Sequence, residues 1–240
     1  MSAAPARRPV VRPPIPIPSA PRTAAALAGL DPLIARWPTG AAFFHCYDLA
    51  WGPRDFFAGD PAHLGRFHPF RPAGAQAPVP VLYGASDDLG ALSETVFHDV
   101  PVRGTKHVPR AKLTRRALVE LAPTRDLTLI DLTSDGLSRL GLARLELIES
   151  DARSYADTAQ WARALHAHPA HVDGLTWVSR QHDTSRALVL FGDRVPRDDL
   201  AEREGVAPVA LAAGAGLDRV CEAADRAGIT IAGLGEQPRR

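Results

Sequence analysis

Short apolar runs bounded by prolines and glycines are the feature that most restricts the fold of this chain. Runs with the length and composition of buried strands occur at 42–49, 79–85, 118–121, 127–132, 175–179, 187–191 and 229–232. Helical patterns lie at 23–36, 89–98, 135–148, 155–166 and 217–227. Because these strands and helices do not alternate in a regular βαβ order, the sequence predicts an α+β fold and not a doubly wound parallel sheet.

The composition of the first 22 residues differs from the rest, with seven prolines, four arginines and no carboxylate. Repeated proline favours extended conformation, so residues 1–22 are predicted to form a flexible arm, either a tail without function or a segment that binds along a partner. At 240 residues the chain can bury one sizeable core. We therefore expect a leading helix at 23–38, one main domain at 39–195 and a C-terminal strand and helix extension at 196–240.

Charge and cysteine content exclude several classes of protein. Twenty-eight Lys and Arg residues against 27 Asp and Glu residues give a net charge of +1, without the basic footprint of a dedicated nucleic-acid binder. The chain has no apolar run of about 18 residues, the length that crosses a bilayer, and its N terminus has no secretory signal. Cys46 and Cys221 have apolar neighbours, as expected of buried thiols in a reducing cytosol. The sequence predicts a cytoplasmic protein that contacts neither membrane nor nucleic acid directly.

Two further patterns are weak. His166, His168 and His171 lie where a helix meets a proline, without the cysteines or spacing of a zinc site, so no metal is predicted. Gly214 and Gly216 follow the apolar stretch 206–212, but Arg219 occupies the third glycine position of a dinucleotide loop. We interpret this second pattern as a plain turn into a helix.

A long irregular segment, 51–77, interrupts the pattern of strands and helices. Loops of more than about 12 residues inside a compact domain are usually functional or disordered. This one contains the sequence GRFHP at 65–69, and we interpret it as functional.

Four pieces of sequence carry a resemblance to a known family. They are GRFHP at 65–69, VLYGA at 81–85, ALSETVF at 91–97 and DGLTWVSR at 173–180. In this order they resemble the signatures of the RES domain, which is named for its Arg, Glu and Ser. The resemblance covers roughly residues 39–195 and places these three residues at Arg66, Glu94 and Ser179.

The resemblance implies a fold related to ADP-ribosyltransferases, with a mixed sheet core and flanking helices. It also implies the toxin half of a toxin–antitoxin pair, which degrades NAD⁺ as its substrate, needs no cofactor and is neutralised by an Xre-type helix-turn-helix antitoxin. Antitoxins of this class often insert a terminal segment into the toxin, and loop 51–77 is where we expect contact. Homo-oligomers within such a complex are compatible with the resemblance.

The signature residues have the chemical groups that this reaction needs. Cleaving the nicotinamide–ribose bond builds an oxocarbenium-like cation, which the Glu94 carboxylate can stabilise at the edge of a core. Nicotinamide leaves as a neutral molecule, so no general acid is required. The planar guanidinium of Arg66, in a flexible glycine-flanked loop, suits the NAD⁺ diphosphate.

The remaining candidates have supporting roles. Tyr83 can stack on nicotinamide, and Ser179 can either hydrogen-bond the ribose or orient Glu94. No nucleophile elbow or triad surrounds Ser179, so we do not predict that it is a nucleophile. Arg180 and His68 are second-rank candidates for phosphate or ribose contacts.

Three functions remain open at this point. NAD⁺ degradation, with water or phosphate as the acceptor, is the leading hypothesis. Protein mono-ADP-ribosylation and an inactive RES module that only binds its Xre-type partner are the alternatives.

Overall fold

A computed structural model describes residues 15–60 and 64–234 of the chain. The helices are α1 (Ala24–Ala28), α2 (Asp88–Thr95), α3 (Ser134–Arg139), α4 (Arg144–Leu147), α5 (Tyr155–His166) and α6 (Gly214–Ala227). The strands are β1 (Ile34–Trp37), β2 (Phe43–Asp48), β3 (Val81–Ala85), β4 (His107–Pro109), β5 (Arg116–Pro123), β6 (Leu127–Asp131), β7 (Gly174–Val178), β8 (Arg186–Phe191), β9 (Leu200–Glu202), β10 (Val209–Ala210) and β11 (Thr230–Ala232).

Nine of these strands form one mixed sheet in the order β1-β6-β7-β8-β3-β2-β5-β10, with β9 also paired to β5. The β6–β7 pair is parallel and the other pairs of this sheet are antiparallel. Strands β4 and β11 form a separate parallel pair. This mixed arrangement of strands and helices confirms the predicted α+β class.

Helices cover the sheet and divide the core into clusters. One cluster contains Trp161 and Leu165 of α5, Trp177 of β7 and Phe191 of β8, all nearly inaccessible to solvent. A second joins α2 and α6 over β2 and β5. Both faces of the central strands β7 and β8 are buried. Their sequences are therefore almost continuous apolar runs, without alternating polar residues.

Two predicted helices are wrong in extent. The helix predicted at 23–36 is only the five residues of α1, and the following residues form β1, an edge strand that pairs with β6. The helix predicted at 135–148 is divided into α3 and α4 by Gly141, whose φ of +70° is a left-handed conformation that ends a helix.

The residues after 195 are joined to the main sheet. Strands β9 and β10 both pair with β5, and α6 packs against α2. Strand β10 has two residues and is antiparallel to β5, so Gly214 and Gly216 do not follow a parallel strand as in a dinucleotide-binding fold. The two glycines lie in the first turn of α6. The predicted boundary at 195 remains a prediction.

The described end of the predicted N-terminal arm, 15–22, lies against the core without regular structure. The Trp161 indole N–H donates to the carbonyl of Pro18 at 2.8 Å, and Ile17 and Ala20 pack on the α5 cluster. Residues 1–14 of the arm lie outside the described residues. Among residues 15–60 and 64–234, no helix has the length and apolarity to cross a membrane.

Candidate active site

A cavity of about 690 Å³ lies between β2, β3, α2 and the irregular segment that follows β2. Arg66, His68, Tyr83 and Glu94 line it, so four of the six predicted site residues share one space. Ser179 is fully buried behind Glu94 and does not reach the cavity surface. The cavity is therefore the candidate active site.

Helix α2 positions Glu94. The Asp87 side chain accepts a hydrogen bond from the Gly90 amide at 2.7 Å and caps the helix. Gly90 faces Ser185, and a Cβ at this position would lie 1.9 Å from the Ser185 hydroxyl oxygen. The missing side chain allows α2 to approach the start of β8 closely, which brings Glu94 next to Ser179.

The Glu94–Ser179 contact is short and well defined. Ser179 Oγ donates to Glu94 Oε1 at 2.5 Å, and the Arg180 amide donates to the same oxygen at 3.2 Å. Ser179 Oγ also accepts from the amides of Gln181 and His182 at 3.1 and 3.0 Å. Because its donor and both acceptor positions are filled, the hydroxyl orients Glu94 and has none left for a ribose.

Arg66 lies in a different environment from the flexible loop that the sequence suggested, and this is a correction. Its side chain is buried, its Nη1 donates to Ser150 Oγ at 2.8 Å and to the Leu147 carbonyl at 2.9 Å, and its guanidinium carbon lies 5.2 Å from the centre of the Tyr155 ring. Its Nη2 is buried without a hydrogen-bond partner in the described structure. Burial lowers the pKa of the guanidinium, and nearby Arg180 lowers it further.

Arg180 lies next to Arg66 but lines an adjacent open cleft of about 510 Å³. Its Nη1 approaches the Ser150 carbonyl at 3.4 Å, and this carbonyl also accepts from Arg66. Arg180 Nε is buried without a partner. Over residues 15–60 and 64–234, neither arginine has a carboxylate within ion-pair distance, so two neighbouring cations here lack a direct counter-charge.

Tyr83 and His68 form a neutral pair on the cavity wall. The Tyr83 hydroxyl accepts from the Phe67 amide at 3.1 Å and lies 3.0 Å from His68 Nδ1. Burial raises the pKa of the Tyr83 hydroxyl and lowers the pKa of His68 to about 4, so both groups are uncharged at neutral pH. His68 can contribute a hydrogen bond to a ligand but no charge to a phosphate.

Sequence reasoning missed four groups that complete the site. His45 and Tyr155 line the cavity, and Ser150 connects Arg66 to Arg180. His98, which also lines it, is four residues after Glu94, and this spacing at the end of the predicted helix was the available signal. Tyr155 and Ser150 come from the α4–α5 region, and no local pattern predicts that this region packs against segment 65–69.

Two of the three histidines considered for a metal site have other partners. His166 Nε2 lies 2.9 Å from Asp193 Oδ2, and His168 Nε2 lies 3.4 Å from the Leu30 carbonyl. Within the described ranges, no group of three or more His, Cys, Asp or Glu side chains has the arrangement of a metal site.

Comparison with known proteins gives three results. Residues 38–211 match the sequence model of the RES domain. The comparison with curated proteins found no match. Among solved structures, the fold is similar to a chain in the crystal structure of the M. tuberculosis MbcT–MbcA toxin–antitoxin complex, with a TM-score of 0.50 and 16% identity over 73% of this chain and 85% of that chain. Since the RES-domain match spans well over half of the sequence and includes Arg66, Glu94 and Ser179, this protein belongs to the RES-domain family.

Proposed function

We propose that this protein is a toxin that degrades NAD⁺ by cleaving its nicotinamide–ribose bond. The observation that carries the proposal is the Glu94 carboxylate at the cavity wall, held by Ser179 Oγ at 2.5 Å. A fixed negative charge is the group that a developing ribose cation requires, because it needs no reorganisation during the reaction.

The chemistry requires little else from the protein. Nicotinamide leaves with the electron pair of the carbon–nitrogen bond and becomes neutral, and the acceptor then donates a pair to the anomeric carbon. Glu94 Oε1 is occupied by Ser179 and the Arg180 amide, so the other oxygen, Oε2, is the one that faces the substrate in this proposal. Tyr83 supplies an aromatic edge for nicotinamide.

The two arginines supply the binding site for the diphosphate in this proposal. Arg66 Nη2 and Arg180 Nε are buried donors without partners in the described structure. An unpaired buried donor costs roughly 1–3 kcal/mol, and a phosphate oxygen would recover that cost. Burial also lowers the pKa of Arg66, so a phosphate beside it would stabilise a desolvated cation. His68, neutral beside Tyr83, is a hydrogen-bonding contact for the ribose.

Turnover of NAD⁺ by purified protein tests the proposal. We expect wild-type protein to release nicotinamide, and Glu94→Gln to lower kcat at least about 10²-fold, because the substitution preserves size and deletes charge. Glu222→Gln, at an exposed glutamate of α6, is the matched control and should behave as wild type.

The products identify the acceptor. With NAD⁺ labelled in its ADP-ribose part, free ADP-ribose indicates water, its phosphorylated form indicates phosphate, and label on protein indicates the alternative of mono-ADP-ribosylation. Absence of any NAD⁺ consumption by folded wild-type protein, with partner binding intact, would support the inactive binding module instead.

We further propose that an Xre-type helix-turn-helix antitoxin binds over the cavity mouth. Trp51, Phe57 and Leu64 line the cavity and are 59%, 42% and 44% exposed, which is unusual for large apolar side chains that cluster at one opening. The similarity of the fold to a chain of a toxin–antitoxin complex supports a partner of this kind.

Co-expression with a candidate Xre-type antitoxin tests that interaction. We expect a stable complex and relief of growth inhibition, and Trp51→Ser to weaken the complex by about 30-fold or more. Val102→Ser, at a valine that is 84% exposed but does not line the cavity, is the control. Failure to form a complex or to relieve toxicity would contradict this part of the proposal.

A further inference from the structure

A hydrogen-bonded chain of side chains lies on the cavity wall near Glu94. Tyr155 Oη is 3.1 Å from His98 Nε2, His98 Nδ1 is 2.9 Å from Asp99 Oδ1, and Lys112 Nζ is 3.3 Å from Asp99 Oδ2. All four residues line the cavity, and none belongs to the four signature pieces, although His98 directly follows the piece at 91–97.

The partners fix the direction of this chain. The hydrogen bond from His98, followed by the nearby charge of Lys112, lowers the pKa of Asp99, so its carboxylate is ionised and only accepts hydrogen bonds. His98 Nδ1 therefore carries the ring proton of the neutral imidazole, and Nε2 accepts the hydroxyl proton of Tyr155. The lone pairs of Tyr155 Oη remain available to a molecule in the cavity.

We propose that Tyr155, His98 and Asp99 form a proton relay that activates a water molecule as the acceptor of the ADP-ribosyl group. This inference rests on the proposed NAD⁺ cleavage. Water oxygen forms the bond to the anomeric carbon as nicotinamide leaves with the carbon–nitrogen electron pair. Water gives one proton to Tyr155 Oη, the Tyr155 proton passes to His98 Nε2, and the imidazolium is stabilised by Asp99.

Neither Ser179 nor Glu94 is suited to this step. Ser179 Oγ has its donor and acceptor positions filled by Glu94 and two backbone amides. Protonation of Glu94 would remove its negative charge while that charge is needed beside the ribose cation. A separate base allows Glu94 to remain ionised throughout.

The outer end of the relay can return the proton to solvent. The side chain of His98 is 25% exposed and that of Asp99 is 76% exposed. The charged or titratable groups facing His98 are Asp99, Tyr155 of α5, Arg180 at 3.5 Å from Nε2, and Lys112 through Asp99, with Glu94 one helical turn earlier. Asp99 is a negatively charged neighbour of the ring and Arg180 a positively charged one, so a phosphate bound at Arg180 would offset the positive charge beside His98.

Steady-state hydrolysis of NAD⁺ between pH 5 and 9 tests the relay. For His98→Gln we expect kcat to fall by about 10²–10⁴-fold, with KM within about threefold of wild type, loss of the acidic limb of the kcat profile, and partial rescue by added imidazole. Tyr155→Phe, which keeps the ring beside Arg66, should show the same loss. His107→Gln, an exposed histidine of β4, is the matched control and should match wild type.

Phosphate, as an alternative acceptor, distinguishes a loss of the proton relay from a general loss of activity. The phosphate dianion attacks without losing a proton, so His98→Gln should reduce formation of ADP-ribose far more than formation of its phosphorylated form. Equal loss of both products, an unchanged pH profile, or wild-type protein that forms only the phosphorylated product would each overturn the relay. Absence of NAD⁺ cleavage by wild-type protein is a separate result, which would contradict the proposed function itself.

Discussion

Two arginines of this protein, Arg125 and Arg66, show opposite ways of placing a guanidinium in a fold. Arg125 binds Asp173 through two parallel hydrogen bonds of 3.0 and 2.8 Å and Asp199 at 2.7 Å, and it also donates to the carbonyls of Asp126 and Arg194. These carboxylates, Asp173 first, raise the pKa of Arg125.

Arg66 is more deeply buried and has no such partners. It donates to a hydroxyl and to carbonyls, one of its nitrogens is unpaired in the described structure, and burial lowers its pKa. A guanidinium paired with carboxylates stabilises the fold, whereas one that lacks a counter-charge is available to an anionic ligand. Carboxylate partners for Arg125, and burial without them for Arg66, therefore distinguish a structural arginine from a candidate binding arginine.

The largest effect that this comparison predicts is on substrate binding. We expect Arg66→Met to lower kcat/KM for NAD⁺ by about 10²–10³-fold, because truncating one partner of a desolvated, charged hydrogen bond costs roughly 3–4 kcal/mol. The free energy of unfolding should change by less than about 1 kcal/mol, since removing an unpaired buried cation offsets the lost hydrogen bonds. Kinetics and urea unfolding measure both quantities.

Arg71→Met is the control for that substitution, since Arg71 is an exposed arginine in the same segment. It should change neither quantity. A large loss of stability in Arg66→Met, with kcat/KM per folded molecule retained, would assign Arg66 to the structural class with Arg125.

The second prediction concerns stability alone. We expect Arg125→Met to destabilise the fold by about 2–3 kcal/mol, because the Asp173 side chain, only 11% exposed, would lose its counter-charge. The figure is below that of a fully buried pair because Arg125 itself is 39% exposed and partly screened by solvent. Urea unfolding measures the loss, and NAD⁺ turnover per folded molecule should stay at the wild-type value. Unchanged stability would show that the contacts of Arg125 with Asp173 and Asp199 do not stabilise the fold.

The third prediction concerns the cavity region, where acid should lower the stability of the fold. Burial lowers the pKa of His45, on the cavity wall, to about 4 from its usual 6.5. Below pH 6.5 the unfolded chain binds a proton that the folded chain does not, so stability falls as the pH falls from 6.5 toward 4. For this one residue the loss between pH 7 and pH 5 is about 2 kcal/mol.

The variant His45→Gln isolates that contribution. Its amide can replace the ring N–H that donates to the Tyr83 carbonyl at 2.6 Å. In denaturant unfolding, the free energy of unfolding of the variant should fall by about 2 kcal/mol less than that of wild type between pH 7 and pH 5. Part of the fall that remains comes from His68, because burial lowers its pKa as well. Identical pH dependence in the two proteins would contradict a neutral, buried His45.

The sequence predicted the strands and helices that depend on local pattern. The α5 helix was predicted with its observed bounds at 155–166, and β3, β6, β7 and β8 to within two residues, because apolar periodicity and turn residues are local properties. Strand β1 was missed because its alanine- and leucine-rich surroundings favour a helix, whereas pairing with β6 makes it a strand. Strands β4 and β9 are too short to produce a pattern.

The candidate site was predictable only in part. Motif resemblance identified Glu94 and Ser179, which are 85 residues apart in sequence and are brought together by the fold. The environment of Arg66 was not predictable, because its burial depends on Ser150 and Leu147, about 80 residues later in the chain. The paired role of Arg125 was missed for the same reason, since both of its carboxylates are more than 45 residues away.

The smallest predicted effect concerns an arginine of a third kind, Arg36, on the surface. It pairs with Asp126 at 2.9 Å, and the two side chains are 74% and 44% exposed. Asp126 also accepts from the amide and hydroxyl of Thr39 at 2.8 and 3.0 Å, so removing Arg36 leaves the carboxylate with hydrogen-bond donors. We expect Arg36→Ala to cost less than about 0.5 kcal/mol in urea unfolding at low salt, and nothing measurable at 1 M salt, where exposed charges are screened. A loss comparable to that of Arg125→Met would mean that pairing with a carboxylate stabilises this fold whether or not the pair is buried. Arg125 and Arg66 would then differ only in their partners.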